Sequence, residues 1–336
     1  MTSPDPHIPV MLPEVLSYLI KPESDPTQQT FIDGTFGNGG YTRAILETGA
    51  NVIAIDRDPT AIENGRELFR KSTGKLNLVE GRFSVLDKHS ENLGHDKVDG
   101  VVLDIGVSSM QLDQAERGFS FRTDGPLDMR MECSGLSAAD VVNSFSKNDL
   151  KRIISVLGEE KKAGYVAHAI VEARQEKAIE TTGHLAEIAE FAVGRRAGDK
   201  IHPATRTFQA LRIYINRELE ELADALLASE RILKPSGRLV VVIFHSLEDR
   251  IVKKFIKDRA KTQGGGSRYM PEVEVAPPTF LELTKRAVSA GDDEAQVNPR
   301  SRSAKLRAAE RLNTAPRSSM ADVFNLPKLP SDKSGA

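Results

Sequence analysis

The segment FIDGTFGNGGYTRAIL, residues 31–46, decides the fold. It opens as a buried strand, passes through a glycine-rich turn and continues as a helix. Turns of this kind serve three ligands: the pyrophosphate of a dinucleotide, the phosphates of ATP, or the cationic methyl donor S-adenosylmethionine. A dinucleotide loop places its first glycine directly after the strand and turns its backbone N–H groups toward the pyrophosphate. Here an acid, Asp33, ends the strand, and Gly34, Gly37, Gly39 and Gly40 follow it. A carboxylate repels a pyrophosphate but attracts a ligand bearing an ammonium and a sulfonium. The ATP pattern fails as well, because no Gly-Lys-Ser/Thr follows the turn. The loop favours a cation.

Outward from the loop, three runs read as buried parallel strands: TFID (30–33), NVIAID (51–56) and VDGVVLDIG (98–106). Each carries an aspartate at or near its end, Asp33, Asp56 and Asp104. Helical patterns over 41–49 and 58–74 separate the first strands, and LNLVEGRFSVL (76–86) reads as a short strand followed by a turn. This alternation predicts a right-handed, doubly wound parallel sheet, an α/β fold. Ligands of such sheets bind at the carboxyl ends of the strands, so the three aspartates form one acidic rim. Asp56 stands nineteen residues beyond Gly37, where an acid accepts hydrogen bonds from ribose hydroxyls in nucleoside-binding folds. Read singly, each aspartate serves equally well as a helix cap.

After residue 106 the alternation stops. A loop-like stretch leads into four helical segments whose apolar residues recur at three and four: SAADVVNSF, KNDLKRIISVLG, YVAHAIVEARQEKAI and TGHLAEIAEFAV. Sheet-type sequence returns at RLVVVIFHSLED (238–249), after a long helix over 206–233 and a KPSG turn. The expected organisation is a sheet domain of residues 1–111 and 201–313, interrupted by a helical insertion over 112–200. A flexible loop is expected over 264–278 and a disordered tail over 314–336, rich in Ser, Pro and Lys.

Composition narrows the class. With 39% apolar and 28% charged residues over 336 positions, the chain suits a folded globular protein. It has no apolar run long enough for a transmembrane helix, and its start lacks the pattern of a secretory or transit signal. A single cysteine, Cys133, excludes an intrachain disulfide and a cysteine metal cluster, so a reducing cytoplasm is expected. The net charge of −2 hides two basic stretches. One holds Arg195, Arg196, Lys200, Arg206, Arg212 and Arg217, the other Arg300, Arg302, Lys305, Arg307 and Arg311. Such stripes suit a polyanion touched on one face, or simply solvated helix faces.

Several blocks carry a family resemblance: HIPVMLPEVL, DGTFGNGGYTRAIL, AIDRDPTAI, LDIGVSSMQLDQAERGFSFRTDGPLDMRM, HPATRTFQALRIYINREL and FHSLEDRIVKKF. Over roughly residues 7–313 the chain resembles the ribosomal RNA small subunit methyltransferase H family. The resemblance implies a cytoplasmic class I methyltransferase domain with an inserted helical domain that engages RNA. It implies S-adenosylmethionine as donor and, as acceptor, the exocyclic N4 of one cytidine in the decoding region (P site) of bacterial 16S rRNA, within the small ribosomal subunit. Neither a membrane nor a metal is implied, and monomer and homodimer both stay open. Carried over by motif, donor contacts fall on Gly39, Gly40, Tyr41, Asp56, Phe83, Asp104 and Gln111, beside Asp33 and Gly37 of the loop. Phe83 suits an apolar wall against the adenine face. Tyr41 departs from the family, where histidine is frequent, so whether it acts through its side chain or its backbone stays open.

A cytosine N4 is a poor nucleophile because its lone pair is delocalised into the ring, and a side chain that takes its proton assists it. Candidates by position are Asp104, Ser108, Ser109, His245 and Ser246. Arg117, Arg122, Arg206, Arg212 and Arg217 are candidate phosphate contacts, while Asp128 and Arg130 either pair with each other or leave Arg130 for RNA. Three other readings compete: a methyltransferase acting on another RNA or DNA base, a nucleotide-dependent oxidoreductase, and a non-catalytic nucleic-acid-binding module built on residues 147–174.

Overall fold

In the computed structural model, residues 9–195, 198, 201–262, 276–317 and 324–330 are described, the side chains of Ser109 and Met110 excepted. The chain divides into two compact units. One comprises the described residues of Met1–Gly106 and Leu219–Asn325, the other Val107–Glu218 with the described residues of Leu326–Ala336.

The first unit begins with α1 (Leu12–Leu19), which starts on Met11 in the left-handed region, φ 53°. Then come β1 (Thr30–Asp33), α2 (Gly40–Glu47), β2 (Asn51–Asp56), α3 (Pro59–Lys71), β3 (Leu76–Glu80), α4 (Leu86–Asn92) and β4 (Val98–Ile105). The Asp-Pro start of α3 works as the sequence suggests: Asp58 accepts from the Thr60 N–H at 3.0 Å and Pro59 fills the first turn. All four residues of β1 are buried, as in a strand covered on both faces.

The second unit contains α5 (Ser109–Asp113), α6 (Ala138–Ser144), α7 (Lys147–Leu157), α8 (Ala163–Glu176), α9 (Thr182–Val193) and α10 (Thr205–Asn216). Ser137, Ser146 and Thr181 each cap the helix that follows, with Ser137 and Asp140 forming a capping box. Leu150, Ile153, Ile154, Leu157, Val166, Ile170 and Leu185 form its core. The chain continues through α11 (Glu218–Ile232), β5 (Leu233–Ile243), α12 (Ser246–Arg259), β6 (Phe280–Glu282), β7 (Val288–Ser289), α13 (Asp292–Val297) and β8 (Lys305–Arg311).

The sheet runs in the order β3-β2-β1-β4-β5-β8-β6, with β7 also paired to β8. From β3 to β5 every pairing is parallel, giving the expected doubly wound, Rossmann-like core. β1 lies between β2 and β4, so the order reverses there and a crevice opens at the carboxyl ends of β1 and β4. The far edge departs from the all-parallel expectation, because β6, β7 and β8 pair antiparallel.

Other expectations need correction. The single helix over 206–233 is broken at Arg217, whose left-handed φ of 50° ends α10 and lets α11 start anew. α10, expected with the sheet domain, groups with the second unit, where its apolar face packs on α7. The KPSG turn lies within β5, which pairs with β4 through a register irregularity at Val98/Gly100. The tail expected to be disordered from residue 314 makes specific bonds where it is described. Arg317 donates to the carbonyls of Ala276 and Pro277, and Tyr214 donates to the Pro330 carbonyl at 2.9 Å. The loop expected over 264–278 lies largely outside the described residues.

Candidate functional site

The turn between β1 and α2 is built by its own hydrogen bonds. The Gly34 N–H donates to the Val102 carbonyl, Thr35 N–H to Asp33, Phe36 N–H to the Ile55 carbonyl and Gly39 N–H to the Phe36 carbonyl. Gly37, at φ 51°, donates to Asp56 Oδ2 at 2.7 Å. Two glycines are required by close approach. A Cβ on Gly39, itself at φ 71°, would come within 2.7 Å of the Phe36 ring. A Cβ on Gly40 would lie 2.3 Å from Pro9 Cγ. These bonds turn five of the loop N–H groups inward, whereas a phosphate ligand requires such groups turned outward. They count against the dinucleotide alternative alongside the charge of Asp33.

Asp33 has no exposed surface; it accepts from the Thr35 N–H at 3.2 Å and the Thr42 hydroxyl at 2.6 Å. Asp56 accepts from Gly37 and, through Oδ1, from the Asp58 N–H at 2.9 Å, which holds its carboxylate at the end of β2. Asp104 differs. Its N–H donates to the Thr35 hydroxyl at 2.7 Å, while its Oδ1 is buried without a hydrogen-bond partner among the described residues. Burial pushes the Asp104 carboxyl up to about 7, and the charges of Asp33 and Glu248 add to this. Burial likewise raises Asp33 and Asp56 to about 6 each. Burial is the leading cause at all three carboxyls and nearby acids add to it, so a cation beside them favours their ionised forms.

The Tyr41 ring is packed inside the fold. It is buried, and its hydroxyl donates to the Val10 carbonyl at 2.5 Å. Burial, with the charges of Asp104 and Asp33, raises its hydroxyl well above the ordinary value. Met11 N–H donates in turn to Glu294 Oε1 of α13 at 2.9 Å, so the segment 9–11 is held by Tyr41 on one side and by α13 on the other. Sequence reasoning missed Glu294, for which no local signal exists. Phe83 is half-buried beside Gly34, 3.4 Å from where a Cβ on that glycine would sit.

At the end of β5, His245 Nε2 lies 2.7 Å from Oε1 of the fully buried Glu248. Ser246 is exposed on the first turn of α12. Gln111 belongs to the second unit, where it is buried and forms a reciprocal pair with Ser108. The Ser108 N–H donates to Gln111 Oε1 at 3.2 Å, and the Gln111 N–H to Ser108 Oγ at 3.3 Å. The side chain of Ser109 lies outside the described residues.

The family model described as the MraW methylase family matches residues 5–312. The chain belongs to the MraW methylase family. A ribosomal RNA small subunit methyltransferase H of Mesorhizobium japonicum is 60% identical over 96% of this chain and 93% of its own length. A protein of the same name from Brucella ovis is 57% identical over the same shares. The family expected from the sequence blocks is thus the family found.

The arginines of the second unit are largely committed to it. Arg130 binds Asp128 through two bonds of 2.8 and 2.7 Å, settling that pair as internal. Arg212 grips Glu218 in the same bidentate way, both bonds 2.8 Å, and Arg117 donates to the carbonyls of Arg130 and Met131. Neither Arg212 nor Arg117 fits the role of a free phosphate contact. The second basic stretch is also divided: Arg307 pairs with Asp249 at 2.6 Å, and buried Arg311 donates to backbone carbonyls. What the second unit exposes instead are two rings, Tyr165 at 70% and Phe191 at 89%. Among the described residues, no helix is long and apolar enough to cross a membrane.

Proposed function

We propose that this chain methylates the exocyclic N4 of one cytidine in the decoding region of 16S rRNA, within the small ribosomal subunit, using S-adenosylmethionine. The observation that carries the donor assignment is the acidic rim, with the unpartnered Asp104 Oδ1, beside a glycine loop that bonds five of its N–H groups internally. Such a site suits a cation bearing a ribose better than a pyrophosphate. In this reading Asp56 accepts ribose hydroxyls, Asp104 faces the positive end of the donor, and Phe83 covers the adenine. Gly39, Gly40 and Tyr41 contribute backbone, and Gln111 is carried over from the family motif as a further donor contact. When bound, S-adenosylmethionine supplies a methyl group on a sulfonium with a neutral leaving group. The protein's task is then alignment and exclusion of water.

The second unit serves as the RNA-recognition domain. Lys162 Nζ donates to the Val193 carbonyl at 2.6 Å, which sets the start of α8 against the end of α9. Each helix brings one ring to the surface there, Tyr165 one turn after Lys162 and Phe191 two residues before Val193. Exposed single rings beside the exposed Lys161 suit unpaired bases stacked next to a phosphate contact.

Small subunits from a strain lacking this activity, incubated with the protein and methyl-labelled donor, test the reading. After nuclease digestion, mass spectrometry should find the label in N4-methylcytidine from a single site. Label in another nucleoside, or none with protein that binds the donor, overturns it.

A further inference from the structure

We propose that His245 and Glu248 form a proton-accepting pair for the amine that receives the methyl group, with His245 Nδ1 as the accepting atom. The proposal rests on the function proposed above. β4 and β5 are neighbours in the sheet, Asp104 standing opposite Val242 and Ile105 opposite Ile243. Phe244 and His245 therefore leave the sheet beside Asp104. Gly106 marks how close they are: a Cβ there would lie 2.9 Å from the Phe244 ring and 3.5 Å from Asp104 Oδ1.

Glu248 is fully buried and pinned through one oxygen. Its Oε2 accepts from the Phe244 N–H at 2.8 Å and the His245 N–H at 3.2 Å. Capping the start of α12 accounts for that oxygen alone. The other, Oε1, faces His245 Nε2 at 2.7 Å. This approach lacks the angle of a directed hydrogen bond, so both atoms count as unpartnered by geometry although they touch. The distance is the firmer guide: two bare acceptors repel at this separation, so the proton belongs on Nε2. Nδ1 then carries the lone pair; it lies at the capping position of α12, against the Glu248 backbone, but makes no directed hydrogen bond among the described residues.

Buried polar atoms without partners are uncommon, and those of one folded protein seldom gather by chance. Here Nδ1 and Asp104 Oδ1 are both acceptors in want of a donor, at the ends of adjacent strands. An exocyclic amine brings two N–H donors. A ring carbon brings none, so the pair also bears on which atom of the base is methylated. The logic is that of a carboxylate–histidine relay, in which the carboxylate fixes the tautomer and stabilises the imidazolium. As the amine nitrogen bonds the methyl carbon, the carbon–sulfur bond breaks and sulfur keeps its electron pair. The nitrogen sheds one proton to Nδ1, leaving an imidazolium opposite the Glu248 carboxylate.

The test is E248Q. Its amide oxygen still accepts from the two backbone N–H groups, while its NH2 faces Nε2 and forces the proton onto Nδ1. Methyl transfer to small subunits should lose about 100-fold or more in kcat, the scale of general-base catalysis. Donor affinity by calorimetry and KM for subunits should stay within about threefold, since only proton transfer is impaired. 15N spectra of histidine-labelled protein, with His245 assigned by its loss in H245Q, should show Nε2–H in the wild type and Nδ1–H in E248Q. Full kcat in E248Q, or Nδ1–H in the wild type, overturns the proposal. Should E248Q fail to bind donor, H245Q decides the matter, because it leaves the Glu248 cap intact; its full kcat is then the overturning result. A wild-type protein inactive on subunits would defeat the proposed function instead, and the tautomer would still be readable.

Discussion

Asparagine at position 104 keeps the shape of the side chain and removes its charge, so the variant separates what Asp104 does for the ligand from what it costs the fold. The carboxyl titrates at about 7 in the folded protein against an ordinary 3.8. Because the folded value is raised, the folded protein binds the proton more tightly than the unfolded chain. Stability therefore falls as pH rises from about 4 to about 7, and the penalty is fully developed above that window. A difference of about three pH units corresponds to about 4 kcal/mol at most, at about 1.4 kcal/mol per unit. Part of it is mutual with Asp33 and Glu248, whose charges relax when Asp104 is neutral, so about 2–4 kcal/mol is expected. For a unit of this size that is a rise of roughly 5–10 °C in melting temperature at pH 8. Thermal scans of D104N and wild type, with and without S-adenosylmethionine, are the assay. Without donor the variant should melt higher at pH 8, and the gap should narrow toward pH 4. With donor only the wild type should gain. A variant that melts no higher than wild type at pH 8 without donor refutes the reasoning.

Three further outcomes follow from the geometry. Tyr41→Phe leaves the buried Val10 carbonyl without its donor, at about 1–3 kcal/mol. Hydrogen exchange over residues 9–11 should rise while donor affinity holds; strongly reduced affinity would contradict a backbone-only contact. Gly40→Ala drives a methyl into Pro9 and should destabilise by about 1–3 kcal/mol, read by denaturant titration. An unchanged midpoint would show that the segment 9–11 is not packed as described. Phe191→Ala should raise KM for small subunits roughly 5- to 100-fold, as the loss of one stacked base implies, and leave donor binding unchanged by calorimetry. An unaltered KM would remove Phe191 from the RNA surface.

The parallel half of the sheet was legible because β1, β2 and β4 are short apolar runs between well-marked helices. The acidic rim was legible for the same reason, since each aspartate closes a strand. β8 was not: KLRAAER reads as a charged surface segment, yet Arg307 and Arg311 turn inward onto Asp249 and backbone carbonyls. Long-range partners of this kind leave no local pattern. Position alone nominated His245, whereas Glu248 stayed invisible because an acid three residues into a helix reads as an ordinary cap. The break at Arg217 was hidden too, because the apolar periodicity of α10 runs on into α11 and only the backbone angle shows the interruption. The inward bonding of five loop N–H groups is a property of three-dimensional structure that glycine spacing only suggests.

The interruption of the sheet between Gly106 and Leu219 has a consequence for biosynthesis. When β4 leaves the ribosome, the strand that will flank it, β5, has not been made, and β8 follows later still. At about 5–20 residues per second, β4 waits on the order of ten seconds with one ladder edge unpaired. Through that interval the helices of the second unit, whose contacts are local, are the part able to fold. A nascent chain stalled before β5 is therefore a folded helical unit attached to an open sheet edge, the form of this protein most exposed to aggregation and to chaperone capture.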